Sequence, residues 1–362
     1  MSLARVGFIG LGQVAELHLT GCRESGLIEV VAGAETDPAR LEQMSAKWGF
    51  KGYLDFKEML RQERPDIACI CTPPSSHHDI TLRAAELGVN VLCEKPMALS
   101  VADAGEMIKA CQQAGVKFYY GSSYRCLPPC LKAKEMIEQG LVGQVRLMLE
   151  TSIGGAGAEK WQDLGAHHYP PGGPGGGGMG LIDHGIHLID IFAWLTNGRV
   201  KAVFGRGNVS GEGPVTEYVT MIFENGAVGQ LVYDDATFPA RRPFEGIFSQ
   251  GASWDPGGRL LPGGGWDPEP QCIQVHGTKG ALLVYHYANK LYFSDASGMR
   301  QIPLQGRTNP GHFGTQLENF AQSLAKKEEP PVTGHDGLKA LQVALAVYES
   351  HRTGALVSIP EL

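Results

Sequence analysis

The sequence lacks any apolar run close to the roughly 20 residues that a membrane-spanning helix requires. It also lacks a secretory signal at its N-terminus, because Arg5 and a glycine-rich stretch interrupt the first apolar residues. These two absences predict a cytoplasmic protein with no membrane partner.

The sequence also has no excess of basic over acidic residues. The chain holds 31 Lys and Arg against 38 Asp and Glu, which gives a formal net charge of −7. Such a charge provides no attraction for nucleic acid or for an anionic membrane. The eight cysteines include no Cys-x-x-Cys pair, and His167 and His168 are adjacent, so that their side chains diverge. We therefore expect no metal site.

The length of 362 residues suggests two domains. Up to about residue 123, short apolar strands without polar alternation are separated by helical segments, and this pattern is typical of a parallel sheet covered on both faces. Beyond Tyr124 the strands become longer and alternate in polarity, and Asn225-Gly226 lies between two of them as a hairpin signal. The sequence thus predicts an α/β protein. Its domains would be a doubly wound Rossmann domain over residues 1–123 and an α+β domain with an open, mostly antiparallel sheet over residues 124–362.

A G-x-G-x-x-A motif follows the first apolar strand and opens a helix; its residues are Gly10, Gly12, Gln13, Val14 and Ala15, with Leu11 between the glycines. The first glycine permits a tight turn, the second lets a pyrophosphate approach the backbone, and the alanine allows close packing of helix on strand. The N-terminus of the helix offers N–H groups to phosphates. This context predicts a dinucleotide site.

Glu35 ends the second predicted strand, twenty residues after Ala15. A carboxylate at this position accepts hydrogen bonds from the adenine ribose and repels a 2′-phosphate, so it favours NAD over NADP. Asp37 precedes Pro38 and is better explained as a helix cap. Arg40 can accommodate a phosphate, which leaves NADP open.

Four further motifs occur in order along the chain: Thr72-Pro73-Pro74-Ser75-Ser76-His77, Glu94-Lys95-Pro96, Tyr124-Arg125, and Asp183-His184-Gly185-Ile186-His187 after a glycine run. Together with the N-terminal motif they resemble the Gfo/Idh/MocA family of oxidoreductases, over essentially the whole chain. The resemblance implies that Lys95 lies between nicotinamide and substrate and that Pro96 follows a cis peptide. It also implies that Asp183 and His187 form an acid–base pair. The same resemblance assigns Thr72, Pro73, His77, Glu94 and Arg125 to the cofactor side and Tyr124 to the substrate side.

The spacing of Asp183 and His187 supports this chemistry independently. Residues four apart share one face of a helix, and a carboxylate beside an imidazole favours the protonated ring. His187 can then take the proton of a substrate hydroxyl while hydride leaves for the nicotinamide, and Lys95 can stabilise the developing alkoxide. Glu94 is expected to fix its neighbours rather than to react. His184 is left between a structural and a supporting role, whereas a structural role is favoured for Asp190.

The expected substrate is a sugar, a cyclitol or a related polyol, because such ligands need many hydrogen bonds and aromatic walls. Trp161 and His168, in a segment rich in glycine, are the candidate loop contacts. Two alternatives stay open at this point: an NAD-retaining glycosidase that uses transient oxidation, and a non-catalytic sensor of dinucleotide and sugar. The resemblance also implies a homodimer or a homotetramer.

Overall fold

The computed structural model describes residues 3–153, 180–207, 216–234, 272–308 and 310–361. These residues form two compact units, one made of Met1–Cys126 with Pro310–Leu341 and the other of Leu127–Asn309 with Gln342–Leu362. Residues 310–341, which the sequence division assigns to the second domain, therefore belong to the first unit. Of the predicted contacts, Trp161 and His168 lie outside the described residues.

Strands and helices alternate through the first 126 residues. In chain order they are β1 (Ala4–Ile9), α1 (Gln13–Cys22), β2 (Ile28–Ala34), α2 (Pro38–Trp48), β3 (Lys51–Tyr53), α3 (Phe56–Glu63), β4 (Ile67–Ile70), α4 (His77–Glu86), β5 (Asn90–Glu94), α5 (Val101–Ala114) and β6 (Phe118–Gly121). A single 3-10 turn at Pro74–Ser76 lies between β4 and α4, and another at Ser123–Cys126 follows β6.

The six strands form one sheet in the order β3-β2-β1-β4-β5-β6, and every neighbouring pair is parallel. The strand order reverses between β1 and β4, and in doubly wound sheets ligands bind at the carboxyl ends of the strands beside such a reversal. The prediction of a parallel Rossmann sheet is confirmed. All four residues of β4 are buried, as the absence of polar alternation predicts.

The second unit holds α6 (Pro128–Glu138), β7 (Val145–Ile153), a π-helical turn (Gly180–Gly185), α7 (Ile186–Thr196), β8 (Val200–Gly207), β9 (Thr216–Phe223), β10 (Val228–Asp234), β11 (Ile273–Gly277), β12 (Ala281–Tyr285), β13 (Lys290–Asp295) and β14 (Gly298–Gln301). The chain closes with α8 (Gly311–Lys326), α9 (Gly334–Thr353) and β15 (Val357–Ser358).

A nine-stranded sheet runs through this unit in the order β14-β13-β12-β11-β7-β10-β9-β8-β15. Only the β7–β10 pair is parallel, so the predicted open, mostly antiparallel sheet is confirmed. The predicted hairpin joins β9 to β10, with Gly226 at φ +84. Helix α7 packs on one sheet face, where Phe192 fills the space that a side chain at Gly229 would occupy.

The two motif glycines differ in what surrounds them. Gly10 has φ +81, and a Cβ there would lie 2.8 Å from Thr72 Cγ2 and 2.9 Å from Thr72 N. Gly12 is the N-cap of α1 at φ −76, and a Cβ there would meet nothing within 4 Å. The first glycine is required by the fold, whereas the second is not.

Gly10→Ala is therefore expected to lower the free energy of unfolding by about 1–3 kcal/mol, because an L side chain is strained at positive φ and clashes with Thr72. The matched change Gly12→Ala should lower it by less than about 1 kcal/mol, the small cost of alanine at an N-cap, because its side chain meets no neighbour. Urea denaturation of the two variants tests the pair; equal stabilities would contradict the assignment.

Candidate active site

The carboxyl edge of the parallel sheet carries the dinucleotide motif. Ala15 is fully buried against the sheet, as the motif requires, and helix α1 begins at Gln13 without a side-chain cap on its first N–H groups. Together with the open space at Gly12, these groups fit an approaching pyrophosphate. The structure thus has the backbone features that a bound dinucleotide needs.

Glu35 lies beside this turn, directly after β2. Its Oε2 accepts the Leu11 N–H at 3.0 Å, and its Oε1 accepts the N–H groups of Thr36 and Asp37 at 2.7 and 3.1 Å. Burial raises the pKa of Glu35, but these N–H donors outweigh burial and hold its pKa below the usual value. The group is therefore a carboxylate at neutral pH. Oε1 also accepts the Thr36 hydroxyl at 3.2 Å, so Oε2 is the oxygen with a lone pair left for a ribose hydroxyl.

Asp37 caps helix α2, as the sequence predicts. Its carboxylate accepts the N–H groups of Ala39 and Arg40 at 2.9 and 3.4 Å. The cap occupies Oδ1 with the helix, so Glu35 is the better placed of the two carboxylates for the ribose.

A buried carboxylate fixes the turn that presents Lys95. Glu94 ends β5, and its Oε1 lies 2.7 Å from Nε2 of His18 on α1. Its Oε2 accepts the backbone N–H of Lys95 at 3.2 Å. The peptide bond between Lys95 and Pro96 is cis, as the resemblance implies. Glu94 therefore links the His18 ring to the backbone of Lys95.

His77 ties the same turn to the loop after β4. Its Nδ1 lies 3.0 Å from the Pro96 carbonyl oxygen, and its Nε2 lies 2.8 Å from that of Thr72. Burial lowers the pKa of His77, although the two carbonyls counteract part of this effect. The fully buried ring thus holds two backbone segments together. Pro73, which follows Thr72 in the loop after β4, is exposed.

Tyr124 and Arg125 lie in the 3-10 turn after β6, and both side chains are buried. Arg125 Nη2 pairs with Asp336 Oδ1 at 3.3 Å. Asp336 also accepts hydrogen bonds from the backbone and the hydroxyl of Thr333, both at 2.8 Å. Arg125 therefore links the Tyr124 turn to the returning segment of the first unit, a contact with no sequence signal.

Asp183 and His187 belong to the second unit. Asp183 lies in the π-helical turn and His187 in the first turn of α7, and both are buried. The turn that carries Asp183 is π-helical and not the α-helix that the spacing argument assumes. It brings the ring of His184 against that of His187, with centroids 5.7 Å apart and planes at 67°.

Other polar side chains surround this turn, and sequence reasoning missed them. Tyr287 Oη lies 3.2 Å from His184 Nε2, and the ring of Tyr233 lies 5.8 Å from that of His184. Glu217 accepts the Leu181 N–H, and Tyr348 Oη accepts the Ile182 N–H at 3.2 Å. The residues come from distant strands and helices, so that no local motif could have found them.

Glu150 and His286 form a buried pair behind Tyr287. His286 Nε2 lies 3.8 Å from Glu150 Oε1, and their side chains are 2% and 3% exposed. Burial raises the pKa of Glu150 to about 8 and lowers the pKa of His286 to about 4. Both shifts favour the neutral forms, a carboxylic acid at Glu150 and an uncharged imidazole at His286.

This charge state predicts a stability difference for Glu150→Gln. Between the usual pKa of 4.5 and the folded value of about 8, the folded chain keeps the proton that the unfolded chain loses. The contribution of Glu150 to wild-type stability therefore falls with rising pH, by up to about 1.4 kcal/mol per pH unit, whereas the amide does not titrate. Since His286 is present in both proteins, its own titration cancels in the comparison.

Thermal or urea unfolding at several pH values between about 5 and 8 measures this difference. The variant should gain on the wild type across the range, while the exposed control Glu42→Gln should show a constant difference. A constant difference for Glu150→Gln as well would mean that the buried group is already ionised.

Comparison with known proteins places the chain in a family. The model of an oxidoreductase family with an NAD-binding Rossmann fold matches residues 4–122, and that of the C-terminal α/β domain of the same family matches residues 134–359. Among the described residues, no helix is long and apolar enough to cross a membrane.

Individual relatives agree with this assignment. A myo-inositol 2-dehydrogenase of Thermotoga maritima is 24% identical over 99% of both chains. A D-apiose dehydrogenase of Paraburkholderia graminis is 25% identical over 98% of this chain and 89% of its own. An Agrobacterium radiobacter oxidoreductase, solved with NAD+, L-tartaric acid and magnesium, has the same fold, with a TM-score of 0.81 at 21% identity over 99% of each chain. The protein is therefore a member of the Gfo/Idh/MocA family of NAD-binding oxidoreductases.

Proposed function

We propose that this protein is an NAD-dependent dehydrogenase that oxidises a hydroxyl group of a sugar, a cyclitol or a related polyol. The observation that carries the proposal is the buried Asp183–His187 segment, on a π-helical turn and the helix that follows it. Its polar surroundings suit a ligand rich in hydroxyl groups. The named relatives act on such compounds, and they give no support to a glycosidase or a sensor.

Each proposed residue has a defined task. When bound, NAD+ supplies the hydride acceptor. His187 takes the hydroxyl proton, and Asp183 favours the protonated form of that imidazole. Lys95, held at its backbone by Glu94, provides positive charge that stabilises the alkoxide as it forms.

The residues around the sheet edge bind the dinucleotide in this proposal. The motif residues from Gly10 to Ala15 take the pyrophosphate, and Glu35 takes the adenine ribose. Thr72, Pro73 and His77 line the nicotinamide end or hold the loop that does so. Arg125 and Tyr124 shape the segment that follows β6.

Self-association is proposed through the face of the nine-stranded sheet opposite α7. Two large aromatic side chains are exposed on this face: Phe204 on β8 is 40% exposed and Tyr218 on β9 is 54% exposed. Exposed apolar patches of this kind mark interaction surfaces. A homodimer or homotetramer in the cytoplasm is the expected state, and sedimentation that finds only monomer would oppose it.

The activity test uses purified protein with NAD+ or NADP+ and a panel of inositols, aldoses and sugar acids, followed by nicotinamide absorbance. We expect net reduction with one compound class. His187→Asn and Lys95→Ala should each lower kcat/KM by about 10²–10⁴-fold while the dinucleotide still binds. The matched controls His276→Asn and Lys109→Ala, on a strand and on the exposed side of α5, should be unaffected. Full turnover in His187→Asn would remove that residue from the mechanism.

Cofactor choice has a separate test. Glu35→Ala should weaken NAD+ binding and reduce the preference for NAD+ over NADP+, because the variant loses the ribose acceptor and the charge that repels a 2′-phosphate. Calorimetric titration with both dinucleotides gives the ratio of the two dissociation constants. If this ratio does not move, the ribose assignment is wrong.

A further inference from the structure

Tyr287 contacts the candidate active site from a distant part of the chain. It follows β12 by two residues, and its hydroxyl lies 3.2 Å from Nε2 of His184. The two residues are 103 positions apart in sequence, and neither has a role in the proton transfer described above. The contact is therefore a candidate for a role outside the proton transfer itself.

His184 is held between two tyrosines and touches His187. The Tyr287 hydroxyl meets its Nε2, and the Tyr233 ring lies 5.8 Å away at 42°. On the other side the His184 ring stands edge-on to His187, with 5.7 Å between the centroids. A rotation of His184 would therefore alter the surface on which the His187 ring rests.

The Tyr287 hydroxyl carries a proton that it can donate to Nε2 of His184. Burial raises the pKa of Tyr287 well above its usual value, so the group remains a neutral phenol throughout the physiological range. When it donates to Nε2 of His184, the single proton of the neutral imidazole is at Nδ1. In either direction of donation, the hydrogen bond holds the His184 ring in one orientation.

Tyr287 also contacts the ring of its neighbour His286. The ring of His286 lies 4.2 Å from the Tyr287 ring, and His286 Nε2 lies 3.8 Å from Glu150 Oε1. Since burial keeps His286 and Glu150 neutral, this support places no net charge beside Tyr287. Four side chains thus lead in sequence from β7 to His187, namely Glu150, His286, Tyr287 and His184.

We propose that Tyr287 is a positioning residue for the dehydrogenase reaction, acting through His184 to fix the ring of His187. The inference rests on the proposed function, in which His187 is the base. A base must lie within hydrogen-bond reach of the proton it takes, and a displacement of about 1 Å can cost on the order of 100-fold in rate. The orientation of His187 therefore bears on kcat more than on substrate affinity.

Steady-state kinetics with NAD+ tests the proposal, with myo-inositol and D-glucose as probes. Tyr287→Phe should lower kcat by about 10-fold and leave KM within about 2-fold. Tyr285→Phe, which removes a hydroxyl from the buried tyrosine at the end of β12, is the matched control and should keep both values. His184→Ala should lose as much as Tyr287→Phe, and His184→Gln should recover most of that loss because its amide oxygen can accept the Tyr287 O–H.

The double variant Tyr287→Phe/His184→Ala separates positioning from independent effects. If Tyr287 acts through His184, the double variant is no slower than the slower single variant, whereas independent roles make the losses multiply. Multiplied losses, or an unchanged kcat in Tyr287→Phe, overturn the inference.

A measurement without substrate keeps the test independent of the probes. In two-bond 1H–15N spectra of protein labelled with 15N-histidine, Tyr287→Phe should shift the ring resonances of both His184 and His187, and Tyr285→Phe should not. Unshifted His187 resonances overturn the inference even where both probes are inert. His187→Asn in the same series distinguishes the two failures: if that variant turns over at the wild-type rate, the proposed function fails, whatever the spectra show for Tyr287.

Discussion

The Glu94 carboxylate holds together the edge of the sheet on which the cofactor site depends. One of its oxygens meets His18 on the phosphate-side helix α1, and the other accepts the N–H of Lys95. A buried carboxylate is stable only where donors compensate for its lost hydration. The helix that starts the dinucleotide motif and the turn that presents Lys95 are therefore fixed by one group. His77 adds a second tie, between the carbonyls of Thr72 and Pro96.

The second unit uses a different principle around His187. Three of its buried groups are shifted toward their neutral forms: burial raises the pKa of Glu150 and of Tyr287 and lowers the pKa of His286. Neutral groups can be desolvated at less cost than charges.

Much of this structure follows from sequence patterns with a local cause. Short apolar strands predict the parallel sheet, and the position of Gly10 directly after β1 predicts the tight turn. Pro38, which follows Asp37, predicts the helix cap, and Asn225-Gly226 predicts the hairpin. The family resemblance adds the cis peptide before Pro96. In each case a few neighbouring residues determine the outcome.

The remainder depends on contacts between distant positions. The return of residues 310–341 to the first unit, with the Arg125–Asp336 pair, has no local signal. Alternation predicts that Glu150 lies on a strand, but not that its carboxyl is buried next to His286. The four-residue spacing of Asp183 and His187 is the same for an α-helix and for a π turn, so the contact of His184 with His187 and Tyr287 becomes visible only in three dimensions.

The most direct test of the central claim, hydride transfer from a polyol carbon to bound NAD+, is to follow the hydrogen itself. The protein is incubated with NAD+ and perdeuterated members of the polyol panel, among them myo-inositol and D-glucose, and the reduced dinucleotide is analysed by mass spectrometry. We expect one deuterium in the reduced nicotinamide, derived from the carbinol carbon that is oxidised. Reduced dinucleotide without deuterium, or none from any member of the panel, would contradict it.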